Sequence, residues 1–403
     1  MHEVILPLQK IDKCAVCASK KTLRLCSACA ERIYCSPECQ TKDWKSHKAN
    51  CKNTSRIDLG LVYPFFAICA DGNHLRPEVP IHPALQHQVT NSPVPDAHPM
   101  RLPDGSSAKI VKLGKPISPG NDSEWWPTAP TPMIRGKLCR RILREGYNLQ
   151  IHFALALALV SELYTTPNDT ATKRLRLRYR SSPIADFGMA WGSARVTTQD
   201  TFAYVLPDGT IRRGQDPNDH YWPYFTTAGG EDIAVDFGMF TFNMCMCVQS
   251  APYVPAPERP NLACPVFFRD RQVQMETPGM YKERKRWSIL RNETVHKALC
   301  ENDTGDLSKP LWDVMDTISS TPCGKVERDL LMMWFLDDKE LLSHNMLKSE
   351  AWTMWPESPP LAIETHPGET NYSAEEEERL EKSIEECRKA YYRNKRKAKK
   401  VGK

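Results

Sequence analysis

Eight side chains able to hold a soft metal ion fall between residues 14 and 51, and seven of them come from the chain's 15 cysteines: Cys14, Cys17, Cys26, Cys29, Cys35, Cys39, His47 and Cys51. Two sets of four such ligands are what two tetrahedral zinc ions require. The spacings serve that chemistry. Cysteines with two residues between them on a tight knuckle, or three between them on a helical turn, can bring both sulfurs to about 2.3 Å from one metal. His47 and Cys51 stand at i and i+4, on one face of a helix. Some 40 residues bury too little to hold themselves together. Two ions can supply the difference, since a structural zinc binds with roughly 10–16 kcal/mol in finger peptides. Spacing alone leaves two pairings open, a cross-braced one and a sequential one. Disulfides are the competing use of these cysteines. The stretch Met1–Ile11 lacks the form of a secretory start, and a reducing compartment favours metal ligation.

The elements that must position these ligands sit in a chain of 403 residues, enough for two or three domains. No apolar run approaches the roughly 20 residues of a membrane crossing. Charge is uneven: residues 1–55 carry +5, residues 388–403 carry +9, and 56–387 carry −9. A nucleic-acid surface spread over the body is therefore not expected. The expected fold class is α+β: a small two-zinc finger, then a larger mixed α+β domain and a basic C-terminal helix. By segment, 1–55 reads as the finger and 56–136 as a Pro-rich, loop-rich stretch packed on the larger domain, with twelve prolines over 77–132. Residues 137–350 read as the α+β domain, 351–372 as a Pro-containing linker and 373–403 as the basic helix and tail. Within the body, apolar spacing predicts helix from Lys137 to Tyr164 around Gly146, and again over Tyr281–Leu299, Leu311–Ile318 and Val326–Leu347. Strand patterns cover Lys173–Arg180, Thr201–Leu206 and Ile233–Val248. In the first of these Arg174, Arg176, Arg178 and Arg180 share one face, expected to be solvated or salt-bridged.

The run Tyr34-Cys35-Ser36-Pro37-Glu38-Cys39-Gln40, with Asp43-Trp44, His47-Lys48 and Cys51, resembles the MYND-type zinc finger at all eight ligand positions. The resemblance covers about 40 residues and is silent on the rest. It implies a cross-brace, with Cys14, Cys17, Cys35 and Cys39 on one ion and Cys26, Cys29, His47 and Cys51 on the other. It also implies a protein-recognition module for short proline-containing peptides, with the positions of Gln40 and Trp44 forming part of the surface. An indole suits an extended proline segment because it offers a flat apolar face and one donor. Packing of Trp44 into the finger's own small core is the structural alternative. Lys42, Lys45, Lys48 and Lys52 read as a solvated helix face.

Catalytic readings meet obstacles. SET-type methyltransferases that carry this finger hold it inside the catalytic domain, whereas here it begins at residue 14, and the Asn73-His74 pair continues as Leu-Arg-Pro. A facial-triad hydroxylase needs His-x-Asp/Glu, which no histidine supplies. Asp186-Phe187-Gly188-Met189 and Asp236-Phe237-Gly238-Met239 repeat a kinase-like triplet without the loops that accompany it, and read as turns at strand edges. Cys245, Cys247 and Cys264 are candidates for a third metal site. Ser358-Pro359-Pro360-Leu361-Ala362-Ile363 resembles the proline-leucine peptides such fingers bind, so it is a candidate internal ligand. Lys395–Lys400 is a cationic run of the nuclear-import kind, able to touch nucleic acid weakly. The function expected is noncatalytic: a nuclear or cytoplasmic regulatory adaptor that binds two zinc ions and recognises proteins with proline-containing motifs, with no membrane association. The alternative is an enzyme with its active site in 56–350 and the finger as a targeting device.

Overall fold

The computed structural model describes residues 2–8, 12–95, 97–118, 122–167, 174–244, 246–254, 263–300 and 307–363, together with 375, 378 and 382. The expected C-terminal helix and the cationic run therefore lie, but for three positions, outside the described residues.

After a two-residue strand, His2–Glu3, that pairs with Thr166–Pro167, the chain forms a short hairpin, β1 (Arg24–Leu25) and β2 (Ile33–Tyr34), followed by α1 (Pro37–Lys52). One residue later it enters the body as β3 (Thr54–Asp58), and Asp58 caps α2 (Leu59–His74) by accepting from the Gly60 N–H. Residues 56–136 are thus more regular than expected. Besides α2 they hold β4 (Ser107–Pro116), which belongs to a second sheet. α2 escapes a periodicity reading because it is buried nearly all round and has no polar face, and because Pro64 lies inside it.

α3 (Pro132–Leu143) and α4 (Asn148–Leu159) divide the expected 137–164 helix at Gly146 and Tyr147, whose φ values of +84° and +56° turn the chain. A single π turn at Val160–Tyr164 ends α4. Strands β5 (Arg174–Tyr179), β6 (Ser182–Ala194), β7 (Phe202–Val205), β8 (His220–Thr227), β9 (Asp232–Asp236) and β10 (Tyr281–Ser288) come next, then α5 (Lys325–Leu342).

The main sheet has seven strands, running Phe267–Arg269, β9, β8, β6, β5, β3, with β10 also paired to β6. All its pairings are antiparallel except β3 with β5, where Thr54 faces Arg174 and Arg56 faces Arg176. α4 packs against β8 and β6 on one side and α5 on the other, so every side chain from Leu149 to Leu159 is buried. Each large apolar side chain so removed from water contributes about 1.5–3 kcal/mol. A second core lies where β4 and β7 run parallel beneath α3, closed by Trp125 and Trp126.

The expected helix over 281–299 is replaced by strand β10 and a short helix, Glu293–Cys300. Its Lys, Glu and Arg are good helix formers, but pairing with β6 overrides that preference. Asp186-Phe187-Gly188 is likewise no turn. It lies within β6, and Gly188 and Gly192 are needed because a Cβ at either would overlap the backbone carbonyl of Trp287 or Lys282. Asp236-Phe237-Gly238 does stand at a strand end, leading into the 3-10 turn Met239–Phe242. No helix among the described residues is long and apolar enough to cross a membrane.

Candidate metal centre

Two knuckles and one helix build the centre. In the first knuckle the Cys14 N–H donates to the Ser19 carbonyl, and the Ala18 N–H returns to Cys14 O at 3.0 Å. The second repeats the design, with the Cys26 N–H on Arg32 O and the Ala30 N–H on Cys26 O. Ala18 and Ala30 both adopt left-handed backbone, at φ +56° and +58°. Backbone N–H groups reach the sulfurs themselves, Val16 to Cys14 Sγ at 3.5 Å and Glu31 to Cys29 Sγ at 3.4 Å.

α1 supplies the remaining helical ligands. Ser36 caps it by accepting from the Cys39 N–H, and Pro37 takes the first turn, where its missing donor costs nothing. Asp43 ties the helix to the hairpin, accepting from Arg32 Nε and Nη2, Tyr34 OH and Ser46 Oγ. Against the opposing effect of burial, these partners hold the Asp43 carboxyl below its usual range.

The eight ligands sort into Cys14, Cys17, Cys35, Cys39 and Cys26, Cys29, His47, Cys51, each set with its ligand atoms within 4.8 Å of one another. This is the cross-braced arrangement, and it rules out sequential pairing. In the first set the sulfurs of Cys17, Cys35 and Cys39 stand 3.4, 3.6 and 3.8 Å apart. A tetrahedron of sulfurs at the zinc–sulfur bond length has edges of about 3.8 Å. In the second set His47 Nε2 lies 3.3 Å from Cys29 Sγ.

The protonation chemistry fits an ion too. The hydrogen bond from the Cys29 thiol pulls Cys26 down to about 4, while the same contact drives Cys29 upward. Hydrogen bonds with Cys17 and Cys39 push Cys35 up to about 12. Cys14 is lowered to about 6, the N–H groups of Cys17, Val16 and Cys35 outweighing desolvation. A divalent cation between the ligands is what allows the raised thiols Cys29 and Cys35 to ionise beside their neighbours.

Gln40 and Trp44 stand one turn apart on α1, both half-buried. Gln40 Nε2 points at Cys26 Sγ, 4.0 Å away. Trp44 packs against the small cysteine-rich core and meets the His47 ring edge-on at 6.2 Å. Its indole therefore braces the finger and stays partly exposed. Lys42, Lys45, Lys48 and Lys52 are exposed, as a solvated helix face requires.

Other candidates fare differently. Cys245 lies outside the described residues, and Cys247 and Cys264 are buried on the paired strands Met246–Gln249 and Ala263–Pro265. Among the described residues only the two quartets group as metal ligands. Leu361–Ile363 is paired as an edge strand with Met246–Gln249, and the Pro360 carbonyl accepts from the Gln249 N–H, so the candidate internal ligand is committed to the body. A buried polar cluster in the body joins His220, Asp236 and Tyr281. Asp236 accepts from His220 Nε2 and Tyr281 OH, both at 2.6 Å, and His220 and Asp236 are fully buried.

The geometry thus defines a cross-braced finger with two zinc sites. Residues 14–51 match the family model of the MYND finger, a protein–protein interaction module, and the two quartets fit its two zinc ions. Similar proteins share this segment. A SET and MYND domain-containing protein of Dictyostelium discoideum is 57% identical over 37 residues, 9% of this chain and 7% of that protein. Ubiquitin carboxyl-terminal hydrolase 19 of Arabidopsis thaliana is 49% identical over 51 residues, 12% of this chain and 7% of the relative. SET domain-containing protein 14 of Caenorhabditis elegans is 56% identical over 34 residues, 8% of each chain. The match spans less than a tenth of each relative's length, and no solved structure matches the chain.

Proposed function

We propose that the chain is a noncatalytic recognition adaptor whose finger binds short proline-containing peptides of partner proteins across the Gln40 and Trp44 face of α1. The supporting observation is that Trp44 stands half-exposed on a helix held by both metal sites, Cys39 belonging to one quartet and His47 and Cys51 to the other. A surface so fixed loses little freedom on binding, which favours affinity from a small contact. The catalytic names of the relatives belong to proteins that share only the finger segment with this chain. The cationic run Lys395–Lys400 supports a place in the nucleus as well as the cytoplasm, in a regulatory setting, and offers at most weak, salt-sensitive contact with nucleic acid.

The test is fluorescence anisotropy of labelled peptides carrying Pro-Pro-Leu or related motifs, titrated with the zinc-loaded full chain. Trp44→Ala should weaken binding by about 30-fold or more, as loss of a central aromatic anchor does, with two zinc ions retained. Equal affinity in both proteins, or no peptide bound by either, would sink the reading.

A further inference from the structure

At the seam between the second quartet and the body, the loop Cys29-Ala30-Glu31 is gripped from several sides. The Glu31 carboxylate is buried and accepts from Arg174 Nη1 at 2.5 Å and Arg176 Nε at 3.2 Å, while its own N–H donates to Cys29 Sγ. Arg291 donates to the Ala30 carbonyl at 3.4 Å, to Pro7 O at 2.7 Å and to the Ala185 carbonyl in β6. Arg174 also reaches Thr54 Oγ1 at 2.6 Å and the carbonyl of Asn50, the residue before Cys51. The body therefore holds the chain beside two ligands of one quartet, Cys29 and Cys51.

Charge points the same way. Arg56, Arg174, Arg176 and Arg291 bring four cations to a seam whose carboxylates are Glu31 and, 4.0 Å from Arg291 Nε, Asp186. Arg56 Nε and Nη2 and Arg176 Nη2 are buried without a hydrogen-bond partner among the described residues. A zinc ion bound by three thiolates and one imidazole carries one net negative charge, which such a cationic wall stabilises. The first quartet is held by the finger's own backbone, through Cys14 to Ser19 and Ala15 to Ile33, and its Cys17 is exposed.

We propose that the zinc ion of the Cys26, Cys29, His47 and Cys51 site is the keystone joining finger to body, and that Arg174, Arg176 and Arg291 are positioning residues for that ion. The ion shapes the 29–31 loop, the arginines close on it, and β3 and β5 are held in register as a result. Binding linkage is reciprocal, so arginines that favour the occupied loop also slow loss of its metal.

The test uses the full chain loaded with two zinc ions and challenged with a chromogenic chelator. Arg174→Gln and Arg176→Gln should each speed release of one zinc equivalent by about 10–100-fold, the usual effect of removing a group that supports metal ligands, and leave the other equivalent at its wild-type rate. Hydrogen exchange read by mass spectrometry gives the converse: Cys51→Ser should speed exchange in β3 and β5, and Cys17→Ser should not. Should a variant fail to fold, the wild-type chain carrying cadmium-113 replaces it, since the all-cysteine and histidine-containing sites give separate resonances and can be emptied stepwise. Exchange in β3 and β5 must then follow the histidine-containing resonance. Acceleration of both zinc equivalents alike, or exchange in β3 and β5 that ignores the second site, overturns the proposal. Peptide affinity has no bearing on either outcome.

Discussion

Glu31 shows how one buried charge differs from an exposed one of the same type. Its carboxylate sits between two guanidiniums, and all three side chains are at most 6% exposed. Removing one partner of such a group leaves a charge unpaired in a low dielectric, which costs about 3–5 kcal/mol. Lys325 and Asp329 pair on the surface of α5 at 87% and 56% exposure, where solvent screening limits an ion pair to about 0–1 kcal/mol. Glu31→Ala should therefore lower the thermal unfolding midpoint clearly at saturating zinc, whereas Lys325→Ala should barely move it. Comparable shifts in the two variants, measured by scanning calorimetry, would show that the Glu31 cluster is hydrated in solution.

Among the elements, β6 bears the tightest constraint, because its glycines let the β10 backbone press against it. Gly192→Ala places a methyl group on the Lys282 carbonyl, and overpacking of this kind costs about 1–3 kcal/mol. The expected result is a lower unfolding midpoint with zinc content unchanged, since neither quartet adjoins this pair. Gly136→Ala, with open space around its Cβ position inside α3, is the control that should hold or raise stability. These same elements mark where the sequence could be read and where it could not. The quartets were legible because ligand type and spacing are local, and the pairing followed from the resemblance of the whole pattern. β5 was legible from its alternation, and α5 from its helical period. α2 was hidden by all-round burial and Pro64, β4 by the prolines about it, and β10 by helix-forming residues that only pairing with β6 could override. Nothing local marked Glu31 either. Its importance comes from Arg174 and Arg176, over 140 positions away, and a lone acid beside a ligand cysteine carries no signal of that contact.

For the molecule as a whole, the buried histidines set how stability responds to acid. Burial pushes His74 and His152 down to about 3 from an ordinary 6.5, and His82 down to about 4. All three stay neutral in the folded chain while the unfolded chain takes up protons below 6.5. Their contribution is thus complete above that pH and is lost as the pH falls toward 3. Glu145 works the other way: burial raises it from 4.5 to about 7, so its contribution is present below 4.5 and lost as the pH rises through 7. Between pH 6.5 and 4.5 the neutral buried histidines therefore draw stability down on acidification, and the raised Glu145 carboxyl, 3.7 Å from His82 Nε2, opposes them. His152 offers the cleanest test. It is fully buried, its Nε2 accepts from the Phe237 N–H, and its Nδ1 makes no hydrogen bond among the described residues. His152→Gln keeps an acceptor but removes the titrating ring. The plot of unfolding free energy against pH should then be shallower than wild type by up to about 1.4 kcal/mol per pH unit, the value of one proton. Acid loss of zinc is common to both proteins and cancels in the difference. Parallel plots over this window would mean that His152 gains its proton in the folded chain as readily as in the unfolded one, and that the core around α4 admits water.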